Sequence, residues 1–154
     1  MKYQLHYCDN SQNPFHIWVM DDPVRPNIPT YQRYGHNRGV FFLTESSYSV
    51  PLAIACCSFI GEIPKTEDEL MDDWDDFDVA VFYTVWNHAM NNQAKGAGRT
   101  IINKALNHIR WFKPFVKTVV TLSPKTEMAR RFHLSNGATT YRENEHTINY
   151  EYKL

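Results

Sequence analysis

The stretch that most restricts this chain is Val79-Ala-Val-Phe-Tyr-Thr-Val-Trp86, which precedes the segment Gln93-Ala-Lys-Gly-Ala-Gly98. The first is too apolar to lie with one face in water and too short for an ordinary helix, so it reads as a buried strand. After the glycines, Ile101, Ile102, Ala105, Leu106, Ile109 and Phe112 repeat with helical spacing. Gly96 and Gly98 therefore stand at the mouth of a helix, where backbone can approach a ligand without a Cβ in the way. The unpaired N–H groups of a first helical turn form an anion site, and a diphosphate is its natural guest. Gln93, Lys95, Gly96, Ala97, Gly98 and Arg99 are the candidate contacts. The same residues also fit a plain strand–loop–helix corner, with glycines for tight turning and solvated Lys95 and Arg99.

Charge is divided about this point. Residues 1–94 carry five Lys and Arg against thirteen Asp and Glu, whereas residues 95–154 carry eleven against four. The basic part begins at the glycine segment, where a phosphate would favour it. Nine of the acidic residues fall between Glu62 and Asp78. They read either as a field that attracts a cationic substrate or as a solvated loop. With 154 residues, 43% hydrophobic, the chain supports one substantial core and a single domain over 1–154, with an irregular segment over 1–39 and the core over 40–154.

Cys8, Cys56 and Cys57 offer no disulfide framework, because adjacent strand residues point to opposite faces. No His or Cys pair has zinc-ligand spacing, so no metal is expected. Three thiols and the lack of an export signal point to a reducing cytoplasm, and no apolar run is long enough to span a bilayer. Trp86, Trp111, Tyr83 and Phe132 read as core or pocket wall. Without aromatic–basic alternation they predict no nucleic-acid partner.

In chain order, Lys2 to Cys8 reads as a first strand. Asp9 to Arg38 is polar and broken by Pro14, Pro23, Pro26 and Pro29, which disfavours long helices and suggests an extended segment over the surface. Val40–Thr44 and Val50–Ile60 form a hairpin candidate around a turn at Glu45–Ser49. One helical turn is expected near Glu67–Trp74. Thr118–Leu122 is a β-branched strand, after which Ser123 as N-cap and Pro124 as first residue open a helix that Gly137 closes. Ala129, Phe132, His133 and Asn136 share one face of that helix. Thr139–Arg142 and Thr147–Tyr152 look like a closing hairpin. The expected class is α/β (α+β), a mixed and mostly antiparallel central sheet with flanking helices.

Gln93-x-x-Gly96-x-Gly98 after a buried strand resembles the pyrophosphate loop of the GNAT superfamily of N-acetyltransferases. Ala129-x-x-Phe132-His133-x-x-x-Gly137-Ala138 resembles that superfamily's next helix, where a tyrosine often stands at the position of His133. A narrower resemblance is to the catalytic domain of malonyl-CoA decarboxylase, carried by Phe132-His-Leu-Ser-Asn-Gly-Ala138, Thr121-Leu-Ser-Pro124 and Val81-Phe-Tyr83. That family's Tyr-Ser-Ile-Ser pattern is replaced here by Tyr83-Thr84-Val85-Trp86. Thr84 keeps a hydroxyl; Trp86 does not.

The resemblance implies acetyl-CoA or another acyl-CoA as co-substrate, passing between splayed strands, with Ala129 leaving room for its thioethyl arm. A backbone N–H at Val85 or Trp86 would hold the thioester oxygen. His133, with an ordinary pKa near 6.5, would protonate the departing thiolate or hold a water that does. His88 is the first candidate for the base and Asp78 the second, while Thr84 is a catalytic candidate through its hydroxyl. Each also has a structural reading: a packed helix histidine, strand-end residues, a buried strand hydroxyl. Three function classes follow: an acyltransferase with a small-molecule amine, a protein lysine or an N-terminus as acceptor; a lyase acting on malonyl-CoA or a related acyl-CoA; and a non-catalytic subunit with the same fold. A homo-oligomer stays open.

Overall fold

The computed structural model describes residues 3–45, 50–72, 74–88 and 96–154. Its strands are β1 (Gln4–Cys8), β2 (Arg38–Thr44), β3 (Ala53–Ile60), β4 (Val79–Asn87), β5 (Thr118–Thr121), β6 (Ser123–Pro124), β7 (Thr139–Glu143) and β8 (Thr147–Tyr152), with helices α1 (Ala97–Phe112) and α2 (Glu127–Ser135). They form one eight-stranded sheet in the order β1-β2-β3-β4-β5-β8-β6, with β7 also paired to β8. Every pairing is antiparallel except β4 with β5. The expected α/β class with a mixed, mostly antiparallel sheet is the one observed.

β4 lies inside this sheet and is covered on both faces, which is why its sequence is almost continuously apolar. On one face Ala80 and Phe82 of β4, with Phe41, Leu43 and Ala55, pack against Ile101, Ile102, Ala105 and Ile109 of α1. On the other, Val79, Val81 and Tyr83, with Val40, Phe42 and Ile54, meet Phe15, Val19, Ile28 and Tyr34 of the N-terminal segment. Cys57 belongs to the first cluster and Cys56 to the second, as strand alternation requires. Among the described residues no helix is long and apolar enough to cross a membrane.

Four local expectations need correction. Ser123 does not cap a helix: it is buried, pairs with Ile148 of β8, and its hydroxyl lies 2.8 Å from that of Thr121. The helix opens later, at Glu127, and Thr126 is the cap, its Oγ1 accepting from Ala129 N at 3.2 Å. Pro124, lacking an N–H, is tolerated in so short a strand pairing. The apolar stripe of α1 stops at Ile109; Phe112 and Trp111 are exposed, the Phe112 ring lying tilted against His108 one turn back.

The proline-rich segment is also not merely draped over the surface. It makes two 3-10 turns, His16–Asp21 and Thr30–Arg33, and buries Asp22 and Arg33 as an ion pair at 2.5 Å. The Arg33 guanidinium donates to the carbonyls of Arg25 and Ile28, doing for an irregular chain what helix hydrogen bonds do elsewhere. The helical turn expected near residue 67 is a 3-10 turn over Glu67–Met71, and Gly137, with φ +98°, closes α2 in the left-handed region. Lys2, most of the turn at 45–49, and Asp73 lie outside the described residues.

Candidate functional site

The sheet forks beside β4. β4 and β5 pair in parallel over four positions only, from Val79 with Thr118 to Phe82 with Thr121. One further bond, Leu122 N to Phe82 O at 3.1 Å, ends the contact, while β4 runs on to Asn87. At this height the register with β3 slips: Cys57 faces Phe82 but Cys56 faces Thr84, leaving Tyr83 as the extra residue of a β-bulge. Two consecutive side chains then turn to the same side, Tyr83 into the cluster beneath the N-terminal segment and Thr84 to Asp22. Bulges re-aim a strand in this way and gather beside functional sites.

The bulge and the fork leave one backbone donor without a strand partner among the described residues. His88 N donates to Leu52 O of the β3 side. Hydrogen-bonding direction alternates along a strand, so Trp86 N–H also points to β3 and Val85 N–H points the other way, into the gap that β5 has left. Of the two N–H groups that the sequence offered, that of Val85 is the one turned towards the gap.

A cavity of about 400 Å³ fills this gap. Its walls are β4 from Phe82 to Asn87, Gly98 of α1, Ser123 and Pro124 of β6, Ala129, Phe132 and His133 of α2, and Pro23 and Val24 of the N-terminal segment. Thr84, Val85, Trp86, Gly98, Ala129 and His133, which the sequence singled out separately, thus meet in one place. Gly98 permits the meeting: a Cβ there would stand 2.8 Å from Phe132 Cε1 and 3.2 Å from Asn87 Oδ1. Gly96 is exposed with φ +81° and open space around it, so it supplies the turn into α1. Ala97 is buried and Arg99 exposed on the first turn. Gln93 and Lys95 lie outside the described residues.

His133 is 6% exposed. Its Nδ1 lies 2.7 Å from Tyr152 Oη, and its ring stacks on Tyr150 with centroids 5.4 Å apart. Burial holds its pKa down at about 4, because an imidazolium would lose its water without gaining a counter-charge. The ring is neutral at pH 7, which changes what it can do: it offers a neutral N–H or a lone pair rather than a stored proton.

The structure does not bring His88 or Asp78 to the cavity wall. His88 is buried at the far side of β4, its Nε2 3.3 Å from Asp21 Oδ2 and its ring edge-on to Trp18. Asp78 stands at the opposite end of the strand, its carbonyl accepting from Lys117 and Thr118. Thr84 lines the cavity wall with its hydroxyl engaged, donating to Asp22 Oδ1 at 2.8 Å. Of the described residues in the acidic stretch, Glu67 alone borders either cavity, in a second, polar groove of about 670 Å³ that shares Pro124 with the first.

Three residues that sequence reasoning passed over complete the surroundings. Asp22 accepts from Thr84, from the N–H groups of Val24 and Arg25, and from Arg33. Arg25 donates through Nε to Tyr83 O at 2.9 Å and through Nη2 to Leu122 O at 2.7 Å. Its third bond is to Glu67 Oε1 at 3.0 Å. These contacts join positions some sixty to a hundred residues apart, and no local pattern announces them. The one available signal is Asp22-Pro23, a turn-forming pair that puts a carboxylate where it can cap its own backbone.

The architecture is that of the GNAT acetyltransferases and of malonyl-CoA decarboxylase, which shares it. Malonyl-CoA decarboxylase from Agrobacterium vitis superposes with a TM-score of 0.81 at 17% identity, over 99% of this chain and 60% of that one. A GNAT family acetyltransferase from Elizabethkingia anophelis with acetyl-CoA bound gives 0.65 at 10% identity, over 99% of each chain. The ribosomal-protein-S18-alanine N-acetyltransferase from Escherichia coli gives 0.60 at 12%, over 97% of this chain and 90% of that one. The chain spans about 60% of the length of the malonyl-CoA decarboxylases it matches. At these identities the likeness is one of fold. No family model matches the chain, and no curated protein does.

Proposed function

We propose that this chain is an acyl-CoA-dependent acyltransferase that moves an acyl group, acetyl in the first instance, from CoA to an amine. The observation that carries the reading is the fork: an apolar slot between β4 and β5, with Val85 N–H aimed into it and a glycine-led helix N-terminus beside it. The diphosphate would rest on the N–H groups from Lys95 to Arg99, and the pantetheine arm would pass Gly98, Phe132 and Ala129. The amine nitrogen attacks the thioester carbonyl carbon, a C–N bond forms, and the oxygen's developing charge is held by Val85 N–H. The C–S bond then breaks, and the thiolate collects the proton shed by the nitrogen, giving an amide and CoA. His133 Nδ1 and Tyr152 Oη share a hydrogen bond; in the tautomer in which Tyr152 donates, His133 would carry its proton on Nε2 and would steady the thiolate as a neutral donor.

A lyase acting on malonyl-CoA is the second reading. It is favoured by the closeness of fit to the Agrobacterium vitis decarboxylase and by His133 in its Phe-His-Leu motif. The wall of the slot includes no Lys or Arg among the described residues, and a malonyl carboxylate would stand there without a cationic partner. That favours a neutral acyl group.

Calorimetry with acetyl-CoA and malonyl-CoA tests the proposal. The wild type should bind acetyl-CoA, and Gly96→Asp, whose Cβ would meet no atom within 4 Å although φ +81° strains a side chain there, adds a negative charge where phosphate would sit and should abolish binding while the domain remains folded. Equal affinity in the two proteins defeats the loop assignment. Thiol release that requires an added amine supports the transferase; carbon dioxide released from malonyl-CoA without one supports the lyase.

A further inference from the structure

Above Phe82 the fork has a plug. Leu122 N donates to Phe82 O, and in a regular parallel ladder the carbonyl of the same residue would accept from a β4 N–H two positions on, that of Thr84. The bulge at Tyr83 has put β4 out of step there, and Leu122 O and Tyr83 O are both turned towards one edge of the Arg25 guanidinium instead. Arg25 fills the space. Its Nε takes Tyr83 O at 2.9 Å and its Nη2 takes Leu122 O at 2.7 Å, so one rigid guanidinium bridges the two strands. Glu67 holds the remaining edge of the group, and the side chain is 12% exposed. Asp22 in turn fixes the backbone of Arg25 by accepting its N–H at 3.0 Å.

We propose that Arg25 is a positioning residue of the acyl-CoA slot: it satisfies the carbonyls of Tyr83 and Leu122, holds β4 and β5 apart, and so keeps Val85 N–H open to the thioester carbonyl. The proposal rests on the acyl-CoA reading above. Two buried carbonyls side by side repel and need donors. Without them, the strands either close towards a regular rung or admit water, and in both cases the Val85 N–H loses its defined place. The residue acts through the strands and touches no acyl group itself; it lines the neighbouring polar groove.

The test compares acetyl-CoA with CoA, since only the former has a thioester carbonyl. Affinities are measured by calorimetry, and the carbonyl stretch of bound, ¹³C-labelled acetyl-CoA by infrared spectroscopy. In wild type the bound carbonyl band should lie below that of free acetyl-CoA. Arg25→Met, which keeps the stem and removes every donor, should leave CoA affinity nearly unchanged. It should lower the acetyl-CoA:CoA affinity ratio about 3- to 10-fold, the worth of one hydrogen bond, and return the band towards the free position. Arg25→Lys, which reaches one carbonyl and not both, should behave the same way, and it replaces the methionine variant should that fail to fold. Adding methylguanidinium to Arg25→Ala should restore the band. An unchanged ratio and band in a folded variant overturns the proposal, as does a parallel loss of both affinities with Tm, the mark of a purely structural role. A wild type that binds neither ligand defeats the acyl-CoA reading itself, and this inference with it.

Discussion

The two edges of β4 differ in kind. Towards β3 the strand is paired along its whole length, from Val79 with Ile60 to Asn87 with Ala53, interrupted by a single bulge. Towards β5 the pairing stops at Phe82, and beyond it the edge faces a cavity, a guanidinium and a buried carboxylate. The complete edge carries the fold; the incomplete one opens onto the cavity. An open edge inside a sheet is costly, since buried peptide groups need partners, and the N-terminal segment meets that need. Asp22 and Arg25 reach β4 from a stretch with neither regular strand nor α-helix, and Arg33 holds Asp22 in place behind them.

The largest effect is expected where that support is cut. Asp22→Ala leaves Arg33 buried without its partner and Thr84 without its acceptor, and should destabilise the protein by about 3–5 kcal/mol, read as a lower urea midpoint. The double variant Asp22→Leu with Arg33→Met should recover most of the loss. If it does not, the pair matters for more than its charge, and the contrast between the two edges weakens.

His133 sharpens the comparison by pH. Its folded pKa of about 4 lies below the unfolded value near 6.5, so the unfolded chain binds the extra proton between these limits. The contribution is whole above about pH 6.5 and is lost as pH falls towards about 4, amounting to about 3 kcal/mol at most. Stability of His133→Phe, compared with wild type by denaturant titration over this window, should lack that part of the slope. Parallel curves would mean that the imidazole is solvated in solution.

Two smaller changes probe the wall and its support. Gly98→Ala should drive the Phe132 ring towards the slot and weaken acetyl-CoA about tenfold, close to 1.4 kcal/mol; unchanged affinity would place the ligand elsewhere. Thr84→Val removes one hydrogen bond to a carboxylate that keeps its other partners, and should cost about 1 kcal/mol in stability with little change in acetyl-CoA binding. A large loss of binding would make the hydroxyl part of the site.

Much was legible in the chain itself. The apolar run of β4, the helical stripe from Ile101 to Ile109, the glycine that closes α2 and the closing hairpin are local patterns, and local patterns survive folding because backbone geometry enforces them. So does the shared face of Ala129, Phe132 and His133, which follows from helical spacing alone. Ser123 shows where this ends: its type and its following proline suit a cap, but pairing with β8 outweighed a preference worth about 1 kcal/mol.

Only the tertiary structure decided the rest. It chose Val85 over Trp86, because the direction of an N–H depends on which strand lies alongside and where the bulge falls. It turned His133 from an ionisable acid into a neutral ring, because desolvation is a property of surroundings and not of residue type. It also made Asp22, Arg25 and Arg33 parts of the site's framework. Their partners stand far away in sequence, and a charge that is solvated in an extended chain acquires a structural role only when folding removes its water and leaves a carbonyl or a carboxylate in its place.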